Sequence, residues 1–212
     1  MQKILYLGGM ASNRYQIESV SRELSAHYGL NVIGMSFSEA QKDRSLVARL
    51  ASDGLVITHS AGMMMLKDIT PKEVIAIAPP MPIGAFLFTV RSIPKMTSFI
   101  KSHKNVPEMR QKMQRYSIAA FKEHIIRPRY NAGQVVRVGA FDSAKEAIIM
   151  ASNGTKVTLC FMENERVFLK CSQHLHVEAA RGQGVIVHDN VPGHHGDFPL
   201  YPLRILGQIN RL

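Results

Sequence analysis

The sequence predicts an α/β fold, in which about six parallel strands form one sheet with helices on both faces. Two observations predict this class. Short apolar runs alternate with amphipathic segments along most of the 212 residues, and the 46% apolar content is enough to bury one substantial core. Strands that alternate with helices at this spacing favour parallel pairing through right-handed crossovers.

The first eighty residues supply four strands in regular order. A strand is predicted at "KILYLGG", followed by an amphipathic helix at "YQIESVSRELSAHYG". The apolar side chains of that helix recur at spacings of three and four: Ile17, Val20, Leu24 and Tyr28. A second strand at "LNVIGMSF" precedes a helix at "SEAQKDRSLVARLAS", for which Ser38 is the expected N-cap. The apolar run "GLVITHS" predicts a third strand, "AGMMMLKDI" a buried helix, and "EVIAIAPP" a fourth strand that ends at two prolines.

A helical and strongly basic insertion interrupts the alternation between residues 81 and 137. From Arg91 to Arg137 the chain carries eleven lysines and arginines against two glutamates, so this segment holds most of the net charge of +10. Such a segment is either a solvated helical face or a surface for an anionic partner. We therefore expect a core formed by residues 1–80 and 138–212, with residues 81–137 as the insertion.

The alternation resumes after the insertion and completes the predicted sheet. A helix is expected at "SAKEAIIMAS", a strand at "KVTLCF", a helix from about Arg166 to Arg181, a strand at "GVIVH" and a terminal helix that begins near Asp197.

Composition excludes several classes of protein. No window reaches the roughly 18 apolar residues that a membrane-spanning helix needs, and the apolar run at the N-terminus is too short for a signal peptide, so a cytoplasmic protein is expected. The two cysteines, Cys160 and Cys171, offer no disulfide framework and are expected to be buried free thiols. Nucleic acid is not an expected partner, because tryptophan is absent and the basic segment is not interleaved with aromatic residues in the way that stacking platforms are.

Four loops that directly follow predicted strands carry chemically unusual residues. They are "GGMASN", "HSAG", "MENERV" and "DNVPGHHGDF". In an open parallel sheet, ligands gather at the carboxyl ends of the strands, where these loops meet. Ser60 lies at a strand-to-helix junction whose small neighbours permit a tight turn. A serine hydroxyl needs a base to become a nucleophile, and "PGHHGD" supplies His194 and His195. A carboxylate that orients this base could come from Glu163 or Glu165.

These residues resemble the α/β-hydrolases, in which a nucleophile elbow G-x-S-x-G is followed along the chain by an acid and then a histidine. "LYLGG" is similar to the family's first oxyanion segment, "VITHSAGMMML" to its elbow, "VTLCFMENERV" to its acid loop and "VPGHHGDF" to its histidine loop. The resemblance implies that Ser60 is the nucleophile, Glu165 the acid and His194 the base. It also implies an oxyanion hole formed by the backbone N–H groups of Met10 and Ala61.

The resemblance has departures and leaves alternatives. Thr58 stands where the elbow usually has its first glycine, and Gly8 stands where the family usually has a histidine. Glu163 is the alternative acid and His195 the alternative base. The chain begins at the strand that bears the oxyanion segment, so a reduced α/β-hydrolase fold of about six strands is expected. The resemblance implies that the insertion at residues 81–137 is a helical lid over the serine.

The expected function is hydrolysis of an ester or thioester through an acyl-enzyme on Ser60. The expected substrate is a small ester or acyl compound, lipid-like or anionic. The alternative is a non-catalytic protein on the same scaffold, whose basic lid engages an anionic membrane surface or another anionic partner. Neither a cofactor nor a metal is expected, because the spacing of the C-terminal histidines matches no ligand motif. His59 is expected to pack beside the elbow, and Met63, Met64 and Met65 to belong to the core.

Overall fold

A computed structural model describes residues 3–10, 12–82, 132–164 and 177–209. Their strands form one six-stranded sheet in the order β2-β1-β3-β4-β5-β6, and every neighbouring pair is parallel. The strands are β1 (Ile4–Leu7), β2 (Val32–Met35), β3 (Leu55–His59), β4 (Glu73–Ile77), β5 (Lys156–Met162) and β6 (Ile186–Val191). This confirms the predicted parallel sheet of six strands.

Helices connect these strands. They are α1 (Arg14–Tyr28), α2 (Phe37–Lys42), α3 (Arg44–Ala51), a 3₁₀ helix (Ser60–Leu66), α4 (Ala132–Ala140), α5 (Ser143–Ser152) and α6 (Pro202–Gln208). Residues 177–181 are also helical. The predicted terminal helix therefore begins later than Asp197, and the buried helix after β3 is a 3₁₀ helix.

The single helix predicted after β2 is in fact two helices with separate caps. Ser36, rather than the predicted Ser38, is the N-cap of α2, and it forms a reciprocal capping box with Glu39. Asp43 ends α2 and accepts a hydrogen bond from the backbone N–H of Leu46, so it also caps α3. The local capping bonds explain why the chain divides at Asp43.

The sheet is the middle of three layers. Alternate residues along each strand point to opposite faces, so Val56 joins the core on one face and Ile57 the core on the other. The first core is completed by α2, α3, the 3₁₀ helix and α5, and the second by α1 and α6. Of the four predicted core positions on α1, three are buried: Ile17, Val20 and Leu24. The fourth, Tyr28, is partly buried. Helices therefore cover both faces, as predicted.

Two further expectations are settled only in part. Cys160 is a buried free thiol, whereas Cys171 lies outside the described residues. Most of the predicted lid, residues 83–131, also lies outside them. Among the helices that the structure describes, none is long and apolar enough to cross a membrane.

Candidate active site

The turn after β3 presents Ser60 at the carboxyl edge of the sheet. β3 ends at His59, and the 3₁₀ helix begins at the next residue, so the backbone changes from extended to helical within one peptide unit. Ser60 has φ 52°, in the left-handed region that non-glycine residues rarely adopt. Strain of this kind is found at nucleophile elbows, where it lifts the serine side chain out of the turn. Ser60 is partly exposed, while His59 and Ala61 on either side are buried.

Two glycines allow the elbow and the loop after β1 to approach each other closely. A methyl group on Gly62 would lie 2.3 Å from the carbonyl oxygen of Leu7. A methyl group on Gly9 would lie 2.9 Å from the Cβ of Ser60 and 3.4 Å from its Oγ. The backbone of the loop after β1 therefore lies directly against the serine.

The structure shows the surroundings of the two departures from the family's motifs. A Cβ at Gly8, where the family usually has a histidine, would lie 2.4 Å from both Ile17 Cδ1 and Ser12 Oγ, so a larger residue there would have to displace these side chains. Thr58 is fully buried within β3, where it pairs with Leu7 and Ala76, and its hydroxyl has no hydrogen-bond partner among the described residues.

The predicted oxyanion hole lies in this contact region. Ala61 directly follows Ser60, and Met10 directly follows Gly9, the residue that lies against the serine. The turn that contains Met10 is closed by Ser12, whose N–H and hydroxyl both donate to the carbonyl oxygen of Gly9, at 2.9 Å and 2.5 Å. The two predicted amides thus belong to segments that flank the hydroxyl, and their role as donors to an oxyanion remains a prediction.

The histidine that contacts the serine is His195. Its Nε2 lies 2.8 Å from Ser60 Oγ. The contact is therefore made by the alternative base, His195, rather than by His194, the preferred one, and the assignment of the base remains a prediction. Gly193 turns the chain with φ 132°, and the backbone N–H of His194 donates to Asp197 Oδ2 at 2.9 Å. The hydrogen bond to Asp197 fixes the main chain of His194 in this turn. The next residue, His195, therefore has its ring against the serine.

Asp197 anchors the histidine loop and was not assigned this role from the sequence. It is 3% exposed, and besides binding the His194 N–H it lies 3.6 Å from Arg204 Nη2 on α6. Its own N–H donates to the carbonyl oxygen of His194 at 3.0 Å. An aspartate at the expected start of a helix was the available signal, because such residues commonly bind nearby backbone N–H groups.

The loop after β5, where the acid was expected, lies beside the histidine loop. The N–H of Glu163 donates to the carbonyl oxygen of Val191 at 2.8 Å, and that of Asn164 to Gly193 at 3.0 Å, which extends the pairing of β5 and β6 past the ends of the strands. The side chain of Glu163 is exposed, and Glu165 lies outside the described residues. The choice between these two glutamates therefore remains a prediction.

His59 packs beside the elbow as expected and also makes a polar contact. It is 7% exposed, and its ring stacks on Phe198 at a centroid distance of 5.9 Å and an interplanar angle of 28°. Its Nε2 lies 2.7 Å from the carbonyl oxygen of His195. This second link between the elbow and the histidine loop was not predicted from the sequence.

A cavity of about 330 Å³ lies beside the 3₁₀ helix, among α2, α3 and α4. Met64 and Met65 line it together with three cationic side chains: Arg44, Lys67 and Arg137. The described lining includes neither Ser60 nor His195, so the cavity is separate from the serine–histidine contact. Met63 and Met65 are buried in the core as predicted, whereas Met64 is partly buried and packs against it. In the described part of the chain, no three His, Cys, Asp or Glu side chains are grouped to hold a metal ion.

Comparison with known proteins gives structural likeness without sequence likeness. No protein-family model and no curated protein sequence matches this chain. Solved structures do match it. An esterase from Exiguobacterium antarcticum superposes with a TM-score of 0.64 at 13% identity, covering 99% of this chain and 91% of that one. The protein has the α/β-hydrolase fold.

Other structures with the α/β-hydrolase fold match over the same length. E-2-(acetamidomethylene)succinate hydrolase has a TM-score of 0.63 at 14% identity, and the coverage is 99% of this chain and 90% of that one. The thioesterase domain from the curacin biosynthetic pathway has a TM-score of 0.55 at 11% identity, with the same coverage. At identities this low the likeness establishes the fold, and the chemistry has to be argued from the side chains.

Proposed function

We propose that this protein is a serine hydrolase that cleaves an ester or thioester through an acyl-enzyme on Ser60. The observation that carries the proposal is the 2.8 Å contact between Ser60 Oγ and His195 Nε2 at a strained strand-to-helix turn. A hydroxyl becomes nucleophilic at neutral pH when a base within hydrogen-bond reach can take its proton. The names of the structural neighbours, which include esterases and a thioesterase, support the same reaction class.

In the acylation step, Ser60 Oγ attacks the carbonyl carbon of the substrate while His195 Nε2 accepts the hydroxyl proton. The tetrahedral intermediate carries a negative oxygen, toward which the N–H groups of Met10 and Ala61 donate. When the intermediate collapses, the bond to the leaving oxygen or sulfur breaks, and His195 returns the proton to that atom. In the deacylation step, His195 takes a proton from water as the water attacks the acyl-enzyme. When this second intermediate collapses, the bond to Ser60 Oγ breaks, His195 returns the proton to that oxygen, and the carboxylic acid leaves.

A carboxylate is required to hold the Nδ1–H tautomer of His195 and to stabilise the imidazolium that forms. We retain Glu165 as the proposed acid and Glu163 as the alternative, because the loop that carries both is hydrogen-bonded to the histidine loop. Separate Glu165→Gln and Glu163→Gln variants decide between them. The variant of the true acid should lose activity by roughly 10⁴-fold, since the amide disfavours the correct tautomer, and the other should keep activity close to wild type.

The substrate class is proposed to be a small ester or acyl compound that is lipid-like or anionic, because the basic segment from Arg91 to Arg137 would attract negative charge. A non-catalytic binding protein on this scaffold would not need a serine hydroxyl and an imidazole nitrogen at hydrogen-bonding distance. The described residues therefore favour the enzyme over that alternative.

The proposal is tested by labelling the folded protein with a fluorophosphonate probe and by measuring hydrolysis of p-nitrophenyl esters of graded chain length. Wild type should label and turn over, whereas Ser60→Ala should do neither. His195→Ala should lower the rate by more than roughly 10³-fold. His194→Ala is the matched control and should stay within about threefold of wild type, because its observed contact is made by the main chain. Absence of Ser60-dependent labelling in folded wild type would refute the proposal.

A further inference from the structure

We infer that His59 is a positioning residue that holds His195 in place against Ser60. The inference rests on the proposed function, since it assigns a role in the activation of the same serine. It goes beyond the expectation that His59 serves only to fill space beside the elbow.

The hydrogen bond between the two histidines determines the protonation of His59. Its acceptor is the main-chain carbonyl oxygen of His195, which has no proton to give, at 2.7 Å from His59 Nε2. The proton must therefore reside on Nε2 of His59, which acts as the donor. A side chain at this position has to carry an N–H or O–H group at the reach of an imidazole Nε2 to preserve the bond.

Two consecutive residues, His59 and Ser60, thus both contact His195 of the histidine loop. His59 binds the main chain of His195, and Ser60 contacts its ring, at 2.7 Å and 2.8 Å. His59 is the last residue of β3 and pairs in register with Ile77 of β4, so its backbone is part of the central sheet. The bond therefore holds His195 in a fixed position relative to the central sheet. Because His59 and Ser60 are joined by one peptide bond, it also limits how far His195 can move from Ser60.

The surroundings of His59 make this bond rigid. The ring is buried between Phe198, on which it stacks, and the ring of His195, at a centroid distance of 5.4 Å. The donor side of the bond is buried, which strengthens a hydrogen bond relative to one in water. Asp197 fixes the other side of the loop to Arg204 of α6. His59 complements that anchor by fixing the loop to the elbow itself.

The test compares two substitutions that differ in the donor. His59→Leu retains a side chain that packs against Phe198 but removes the N–H donor. His59→Gln removes the aromatic ring and keeps an amide N–H at similar reach. The matched control is His27→Leu, on the exposed side of α1. For each, the measurements are the thermal midpoint, the rate constant of fluorophosphonate labelling per folded molecule, and kcat and KM for the best p-nitrophenyl ester.

We expect His59→Leu to lower the labelling rate constant and kcat by roughly 10- to 100-fold, with KM within about twofold, because a small displacement of the base slows the reaction without changing ground-state binding. His59→Gln should recover labelling to within about fivefold of wild type while its thermal midpoint falls with the loss of stacking. His27→Leu should match wild type.

A merely structural role would give a different pattern. Both His59 variants would then label at the wild-type rate per folded molecule, or both would fall equally in proportion to their loss of stability, and either result would overturn the inference. The proposed function is judged separately, because it fails only if wild type itself shows no Ser60-dependent labelling.

Discussion

Replacing Gly62 with alanine should separate the elbow from β1. The added methyl group would lie 2.3 Å from the carbonyl oxygen of Leu7 and 3.1 Å from that of Gly8, whereas real Cβ atoms essentially never come closer than 3.0 Å to another heavy atom. The backbone segments must therefore move apart by at least about 0.7 Å. Carbonyl oxygens of a central strand cannot rotate away as a side chain would, so relief requires movement of β1 or of the 3₁₀ helix.

Overpacking of a tight interior site typically costs about 1–3 kcal/mol. Because both contacts at Gly62 are with backbone, we expect a loss of unfolding free energy of about 3 kcal/mol, measured by equilibrium denaturation in urea with the m-value checked against wild type. The same movement shifts Ser60 relative to the loop after β1, so labelling of the folded fraction should fall by more than roughly tenfold.

Gly182→Ala is the matched control. The nearest atoms to its added methyl group are carbonyl oxygens at 3.7 Å and 3.8 Å, which is ordinary contact. We expect its stability to stay within about 0.5 kcal/mol of wild type. If Gly62→Ala proved as stable as Gly182→Ala, the close approach of the elbow to β1 and the reasoning built on it would be refuted.

Three further predictions concern the site and its support. Gly9→Ala should reduce Ser60 labelling by at least roughly tenfold with a smaller effect on stability, since its methyl group meets the serine side chain itself; unchanged labelling would contradict the contact. Asp197→Ala should cost about 1–3 kcal/mol by leaving the His194 N–H without its acceptor, and Asp197→Asn, which retains an amide oxygen, should recover most of that loss in the same denaturation assay. Burial raises the pKa of Glu146 above its ordinary value of 4.5, so the folded state holds that proton more tightly and stability declines as pH rises through the interval above 4.5. Glu146→Gln should accordingly gain stability relative to wild type between about pH 4 and pH 7, by less than about 1 kcal/mol because the carboxyl is partly exposed; a difference independent of pH would exclude this cause.

The layers of the fold could be predicted because their signals are local. Continuous apolar runs marked the central strands, and apolar spacings of three and four marked the inner face of α1, where Val20 and Leu24 are fully buried. Parallel pairing followed from the alternation of strands and helices, whereas the order of the strands, β2-β1-β3-β4-β5-β6, was not predicted. These rules act within ten or fifteen residues, which a single sequence displays in full.

The start of α2 could not be predicted with the same certainty, because two capping patterns overlap. Ser36 precedes Glu39 by three residues, and Ser38 precedes Gln41 by three residues. The strand decides between them: the N–H of Gly8 donates to the carbonyl oxygen of Met35, which keeps the chain extended up to Ser36. The helix then begins as soon as that pairing ends, a long-range effect that local patterns do not contain.

The histidine loop shows the same limit at the site. Sequence placed His194 and His195 in the loop that faces the serine but could not decide which ring enters the site. The difference is one residue, and it depends on how Gly193 and the buried Asp197 set the path of the main chain. Tertiary contacts of a loop determine which of two adjacent side chains points inward, and they are formed by residues that carry no catalytic signature.

The conformation of Ser60 bears on whether its side chain is used. The described residues include three non-glycine residues with positive φ: Ser60, Asp68 and Ala78. Such a conformation costs on the order of 1–3 kcal/mol, and glycine would adopt it with little strain. A turn that served only to connect β3 to the 3₁₀ helix would therefore be more stable with glycine at this position. Of the three, Ser60 has a side chain that lies 2.8 Å from an imidazole nitrogen. The strain is thus accompanied by a specific contact that glycine could not make, and it is this pairing, rather than the likeness of fold, that favours catalysis over a structural turn.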